Sequence, residues 1–173
     1  MTWRPTARSK DGGIDEIPLP AAVAGRLWLC GKHAVGPDPE AALARVGADT
    51  IVCLNEAGEL EDRYPAYVAW LRAQPASRAV WFPVPDLHAP ELAAVVPMLD
   101  DLHRRLGDGD ALLVHCGAGI GRAGTVATAL LIGLGLGEAD ALRHVAAHRP
   151  MAGPEAGSQR EFVTALAAHR SGR

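Results

Sequence analysis

Between Ala111 and Thr125 the chain reads A-L-L-V-H-C-G-A-G-I-G-R-A-G-T, an apolar run that passes straight into a loop with glycine at 117, 119 and 121. Four apolar residues in a row, with no polar alternation, describe a strand buried on both faces, and such strands belong to parallel sheets covered by helices on either side. Residues 123–134 continue as an apolar stretch of helical length, so the junction is strand, tight loop, helix. Residues 26–30 (R-L-W-L-C, closed by Gly31), 50–54 (T-I-V-C-L) and 79–82 read as further buried strands. Helices are expected over 39–46, where Asp38, Pro39 and Glu40 supply an N-cap, a first-turn proline and a first-turn acid, and over 65–73, 90–106, 123–134, 138–148 and 158–168. In 90–106 the apolar residues fall on one face, and Gly107 and Gly109 are expected to stop the helix. Pro83, Pro85 and Pro90 hold an extended loop around Asp86 and His88. The fold class is α/β, a mostly parallel central sheet with helices on both faces.

The rest of the chain suits one domain of that kind. Its 173 residues, 49% apolar and 21% charged, are enough to bury a single core without disulfides or metals. Residues 1–16, with Pro5, Gly12 and Gly13 among them, read as a flexible N-terminal arm and 17–173 as the folded domain. The start of the chain lacks the apolar core of a secretory signal, and residues 123–137, the longest apolar stretch, fall short of the ~20 a bilayer needs. A net charge of −3 with scattered cations offers no field that would draw the chain to nucleic acid or a membrane. Cys30, Cys53 and Cys116 are odd in number and far apart, which suits reduced thiols in a cytoplasmic protein better than a disulfide framework, and no zinc spacing is present.

Residues 115–122 spell H-C-x5-R. The glycines let successive amides turn inward, and the following helix adds unpaired N–H groups and the positive end of its dipole. Gly117, Ala118, Gly119, Ile120, Gly121 and Arg122 thus make a nest for a tetrahedral dianion, closed by the planar donor fork of Arg122. The same potential favours the thiolate at Cys116, because helix N-termini and nearby cations lower cysteine pKa values from ~8.5 to as little as ~3.5. A thiolate beneath a bound phosphoryl group attacks phosphorus in line and forms a cysteinyl-phosphate that water hydrolyses, with no metal or cofactor required.

These residues resemble the signature of the protein tyrosine phosphatase superfamily, and the resemblance spans most of the chain. G-E-L at 58–60, P-V-P-D at 83–86, the signature, and R-P followed by Q-R-E-F within 149–162 run in the order found in compact dual-specificity phosphatases, with the cyclin-dependent-kinase-associated phosphatases closest in look. The resemblance implies that Asp86 protonates the leaving oxygen and then serves as base, that His115 supports the thiolate through local hydrogen bonds, and that Gln159 helps to position the hydrolytic water. It breaks at Ala123, where a hydroxyl residue is usual; a similar alanine occurs in the phosphatases of regenerating liver, and the departure bears on turnover rather than on phosphate binding. Ala156 likewise stands where threonine is common.

The same residues admit other readings. Gly119, Gly121 and Gly124 satisfy G-x-G-x-x-G, but a dinucleotide site needs an acid at the end of a strand ~20 residues on, where this sequence reads as helix. His88, Glu91 and Asp62 compete with Asp86 as proton donor. His144 and His148 share a helical face without a third metal ligand in suitable context. A rhodanese-type sulfurtransferase also uses a cysteine in an anion-binding loop, but the five-residue spacing to Arg122 and the separate acid loop favour a phosphatase. A phosphate-reading binding module without turnover rests on Ala123 alone. The expected partner is a phosphorylated protein or small phosphomonoester: residues 117–121 carry no cation suited to a polyphosphorylated inositol, and no aromatic-rich segment frames a deep phosphotyrosine pocket.

Overall fold

The computed structural model describes residues 13–173. Among them, strands β1 (Asp15–Ile17), β2 (Arg26–Gly31), β3 (Thr50–Cys53), β4 (Ala79–Trp81) and β5 (Ala111–Cys116) form one sheet in the order β1-β2-β5-β3-β4. β2, β5, β3 and β4 run parallel, and β1 joins the β2 edge antiparallel. The helices are α1 (Lys32–Val35), α2 (Pro39–Val46), α3 (Pro65–Ala73), α4 (Leu92–Asp108), α5 (Gly121–Gly133), α6 (Glu138–His148) and α7 (Gly157–Ser171). Every residue of β5 is buried, as its apolar sequence requires of a central strand with a helical layer on each face. One face packs Leu27, Leu29, Val52, Leu112 and Val114 against α4–α7; the other packs Trp28, Ile51 and Leu113 against Val35 of α1, Leu43 of α2 and Tyr67 of α3. Each fully buried leucine or isoleucine contributes roughly 1.5–3 kcal/mol, and α5, buried from Gly121 through Ile132, is the helix most fully enclosed by this core.

Several boundaries differ from the sequence reading, each for a local reason. The part of the proposed arm at residues 14–16 is buried, and Asp15 and Glu16 lie in β1, paired with Leu29 and Trp28; residues 1–12 lie outside the described residues. A three-residue strand between Pro18 and the glycines is too short to leave a periodic signal. α4 starts at Leu92, two residues after Pro90, and runs through Gly107 to Asp108; Gly109, at φ 104°, is the residue that ends it in the left-handed conformation. β5 extends through His115 and Cys116 because both continue the ladder with Cys30 and Gly31 of β2. α5 accordingly begins at Gly121 rather than at residue 123.

Gly31, Cys53, Trp81 and Cys116 bring the four parallel strands to a common edge, the edge at which open α/β sheets place ligands. Beyond β4 the pairing continues irregularly, Phe82 N–H donating to Cys53 O at 2.9 Å and Val84 N–H to Leu54 O at 3.0 Å. This carries Asp86 along the end of β3 to the same edge as Cys116.

Candidate active site

Cys116 is the last residue of β5 and is buried, with Sγ 3.5 Å from the backbone N–H of Ala123 in the first turn of α5. The nest expected around it is built from the outside. Gly117 O accepts from Lys32 N–H at 3.0 Å, Ala118 O and Gly119 O accept from the Arg149 guanidinium at 3.0 and 2.7 Å, and Ile120 O accepts from Gly124 and Gly153 N–H at 2.9 and 3.1 Å. Four successive carbonyls are therefore held outward, and in planar trans peptides the following amides, residues 118–121, point the opposite way, into the loop. Gly119 is obligatory: it lies at φ 73°, and a Cβ there would collide with the Cys30 carbonyl group on β2.

Arg122 is buried over the loop mouth. Nη1 donates to Glu59 Oε2 and to Val84 O, each at 2.8 Å, and Nη2 donates to Glu59 Oε1 at 2.7 Å and lies 3.3 Å from Asp86 Oδ1. Glu59 thus fixes the terminal edge of the fork and leaves the Nε side to a ligand. Glu59 sits in a single 3-10 turn (Ala57–Glu59), where it also accepts from Glu56 N–H at 2.7 Å and Asn55 Nδ2 at 3.0 Å. Burial by itself would raise its pKa, but bonds from Arg122, Glu56 and Asn55 outweigh that and hold it below the usual carboxylate range. On Arg122 burial opposes the charge and Glu59 restores it, with a net upward shift. Glu59 had no role in the sequence reading beyond the G-E-L match; its signal is an acid three residues after another acid on a strand-end turn.

Asp86 lies on the exposed tip of its loop, with 71% of its side chain accessible, and Oδ1 also accepts from Leu87 N–H at 3.0 Å. His88, the alternative donor, has Nδ1 2.7 Å from Asp86 O and does not line the cavity over Cys116. Glu91 stands at the N-cap position of α4 without a side-chain capping bond, Asp62 is exposed, and neither lines that cavity.

His115 is buried on the face of β5 opposite to Cys116. Its Nε2 is 2.6 Å from Tyr67 Oη, and Nδ1 is 3.4 Å from Cys116 O, so it reaches Cys116 through the backbone. Desolvation pushes its pKa down to about 4 and keeps the ring neutral near pH 7. Cys30 and Cys53 flank His115 across the sheet and belong to the core on that same face, away from Cys116. Burial pushes both thiols up, Cys53 to about 12, and all three cysteines are free.

Gln159 is fully buried with both ends of its amide occupied. Oε1 accepts from Glu155 N–H at 2.7 Å and Ala156 N–H at 3.3 Å, and Nε2 donates to His88 O at 3.2 Å. It ties the acid loop to the start of α7 and does not line the cavity, whereas Glu155, which the sequence reading passed over, does. Lys32, Glu59, Asp86, Leu87, Cys116, Gly117, Arg122 and Glu155 are among the residues around this space of about 420 Å³, and no Phe, Tyr or Trp is.

A cysteine at the end of a central parallel strand, beneath an amide nest closed by an arginine, defines a cysteine-dependent phosphatase. The chain belongs to the family described as PTP-SAK, Swiss Army Knife protein, DSP-PTPase phosphatase domain, whose model matches residues 23–170; it is a cysteine phosphatase of the compact dual-specificity type. Among solved structures it is similar to Tk-PTP in its active form, at 27% identity and TM-score 0.64, over 84% of this chain and 92% of that one. It shares the fold of a kinase associated phosphatase with serine in place of its catalytic cysteine, at 19% identity and TM-score 0.75, over 92% and 96% of the two chains. It also shares the fold of human DUSP28, at 24% identity and TM-score 0.66, over 84% and 94%. No curated protein matches the chain.

Proposed function

We propose that the chain hydrolyses phosphomonoesters of tyrosine, serine or threonine in proteins through a cysteinyl-phosphate on Cys116. The observation that carries the reading is the position of Cys116 Sγ, at the base of a loop whose carbonyls are all held outward and 3.5 Å from the first-turn amide of Ala123. The amides of residues 118–121 and the Nε edge of Arg122 receive the phosphoryl oxygens, and they stabilise the charge that develops on them. As Sγ bonds to phosphorus, the P–O bond of the ester breaks. The electron pair goes to the leaving oxygen, which takes a proton from Asp86 as that side chain swings from Arg122 Nη2 over the substrate. The absence of bulky aromatic walls among the cavity-lining residues suits a shallow site open to short and long phosphorylated side chains. In the absence of a membrane-spanning helix among the described residues, a cytoplasmic location is part of the same proposal.

The test is turnover of p-nitrophenyl phosphate in the presence of a chelator, with Cys116→Ser beside the wild type. Wild-type turnover should survive chelation, and Cys116→Ser should abolish it while inorganic phosphate or vanadate still binds, because serine keeps the nest but is a poor nucleophile at neutral pH. Turnover by the serine variant near the wild-type rate would sink the covalent assignment.

A further inference from the structure

The charges around the active-site cavity are divided between the two helical layers. Asp86 and Glu155 stand on the segments leading into α4 and α7, whereas Lys32 and His33 open α1 in the other layer. Past His33, Gly117 and Ala118 the space continues into a second cavity of about 530 Å³, whose further charged residues are Asp38, Arg45 and Arg149. Two of these are committed elsewhere. Asp38 Oδ1 accepts from Ala41 N–H at 3.0 Å as the N-cap of α2, and Arg149 is spent on Ala118 O, Gly119 O, Gly13 O and Asp15. Lys32 and His33 keep donors in hand. Lys32 Nζ gives one hydrogen to Glu59 O at 3.0 Å, and an ammonium has three. His33 Nδ1 lies 2.5 Å from Tyr64 Oη, and its Nε2 has no partner among the described residues. Tyr64 is buried, and a Cβ on Gly36 would run into its ring, so the residue that holds His33 is itself held. Arg45, exposed in the last turn of α2, adds a further cation to the second cavity.

We propose that Lys32, His33 and Arg45 form a subsite for a second anionic group of the substrate. The preferred substrate is then a protein segment in which another phosphorylated or acidic residue stands close to the scissile phosphoresidue. The assignment rests on the phosphatase reading and narrows its substrate class. In an extended segment, side chains two residues apart lie on one side, roughly 7 Å from each other, so the second group belongs two positions before or after the first. With an anion at Nε2, His33 takes the tautomer that carries its proton there and accepts from Tyr64 O–H at Nδ1. Asp86 and Glu155 repel the same group, so the division of charge also sets the direction in which the segment lies across the cleft.

The experiment compares phosphotyrosine peptides that differ only in the residue two positions away, before or after, which is alanine, glutamate or phosphothreonine. In the wild type, kcat/KM should rise by roughly fivefold for each negative charge gained, the scale of a close charge pair in water, and the gain should shrink in high salt. The glutamate peptides separate the two sources: a gain confined to phosphothreonine assigns the subsite to phosphoryl groups, and a gain with both assigns it to anions at large. Lys32→Gln, His33→Ala and Arg45→Gln should each cut the preference for phosphothreonine over alanine by about threefold or more. Because that preference is a ratio taken within one variant, a general loss of activity or of folded protein does not move it. Equal kcat/KM for all the peptides in the wild type would overturn the proposal, and so would a preference that survives undiminished in the three variants. A wild type that turns over p-nitrophenyl phosphate but none of the peptides would overturn it as well. If p-nitrophenyl phosphate is not turned over either, the failure lies with the phosphatase reading, and the subsite falls with it.

Discussion

At Ala123 the helix offers Cys116 only its backbone N–H, 3.5 Å from Sγ. A serine there has two places to send its hydroxyl: the sulfur, or the carbonyl four residues back. Elsewhere in α5 the hydroxyls take the second course, Thr125 Oγ1 donating to Gly121 O at 2.6 Å and Thr128 Oγ1 to Gly124 O at 2.8 Å. For residue 123 that carbonyl belongs to Gly119 and already accepts from Arg149 Nε at 2.7 Å, which leaves the sulfur as the better acceptor. A hydrogen bond to a charged group is worth ~1.5–3 kcal/mol, or roughly 10- to 100-fold in rate. Ala123→Ser should therefore speed breakdown of the cysteinyl-phosphate by about that factor and raise steady-state turnover. Single-mixing kinetics should show a burst in wild type that shrinks in the variant; equal bursts and equal turnover would mean that the missing hydroxyl limits nothing.

One scale up, the phosphate loop keeps its shape because three other elements grip it. β2 and α1 supply Lys32 N–H to Gly117 O. The segment after α6 supplies Arg149, whose guanidinium bonds Ala118 O and Gly119 O on one side and Gly13 O and Asp15 Oδ2, at 2.7 and 2.9 Å, on the other. β1 is thereby tied to the catalytic loop, and the acid loop to α7 through Ser158 and Gln159. Arg149→Met strips both loop carbonyls of a donor and leaves Asp15 without this partner. Losing these bonds should lower stability, and inorganic phosphate should inhibit at least tenfold less well as the amides lose their common direction. Arg149→Lys should restore little, since one ammonium cannot reach both carbonyls and the carboxylate. A lowered melting temperature with unchanged phosphate inhibition would show that the loop holds its form without Arg149.

For the molecule as a whole, the desolvated histidines should weaken stability in acid. His115 is held to about 4 by burial, and desolvation also lowers His103 and His144. A free imidazole titrates near 6.5. Below that pH the unfolded chain binds protons that the folded chain refuses, so stability is whole above about pH 6.5 and falls as pH drops towards 4. For His115 alone the loss approaches about 3 kcal/mol. Urea midpoints measured from pH 7 to 4.5 should fall, and His115→Gln should flatten much of that fall; an unchanged slope would assign the acid limit to other groups.

Local rules carried the sequence reading far. Apolar runs at β2, β3, β4 and β5 announce doubly buried strands, Asp38-Pro39 announces α2, and the spacing from Cys116 to Arg122 announces an anion nest, because each signal lies within a few residues of the structure it specifies. The residues missed are those whose partners are distant in the chain. Glu59 meets Arg122 across 63 positions, Arg149 meets Asp15 across 134, and Glu155, on the segment before α7, lines the same cavity as Cys116. Gln159 marks the same boundary: its type and place in the chain suit a water-positioning residue, yet packing buries it and spends its amide on backbone groups. The strands and the glycine loop between Cys116 and Arg122 follow from local backbone and side-chain chemistry, and so they could be read from the chain alone. Which carboxylates face the phosphate depends on where packing brings separate elements together, and that choice belongs to the tertiary fold.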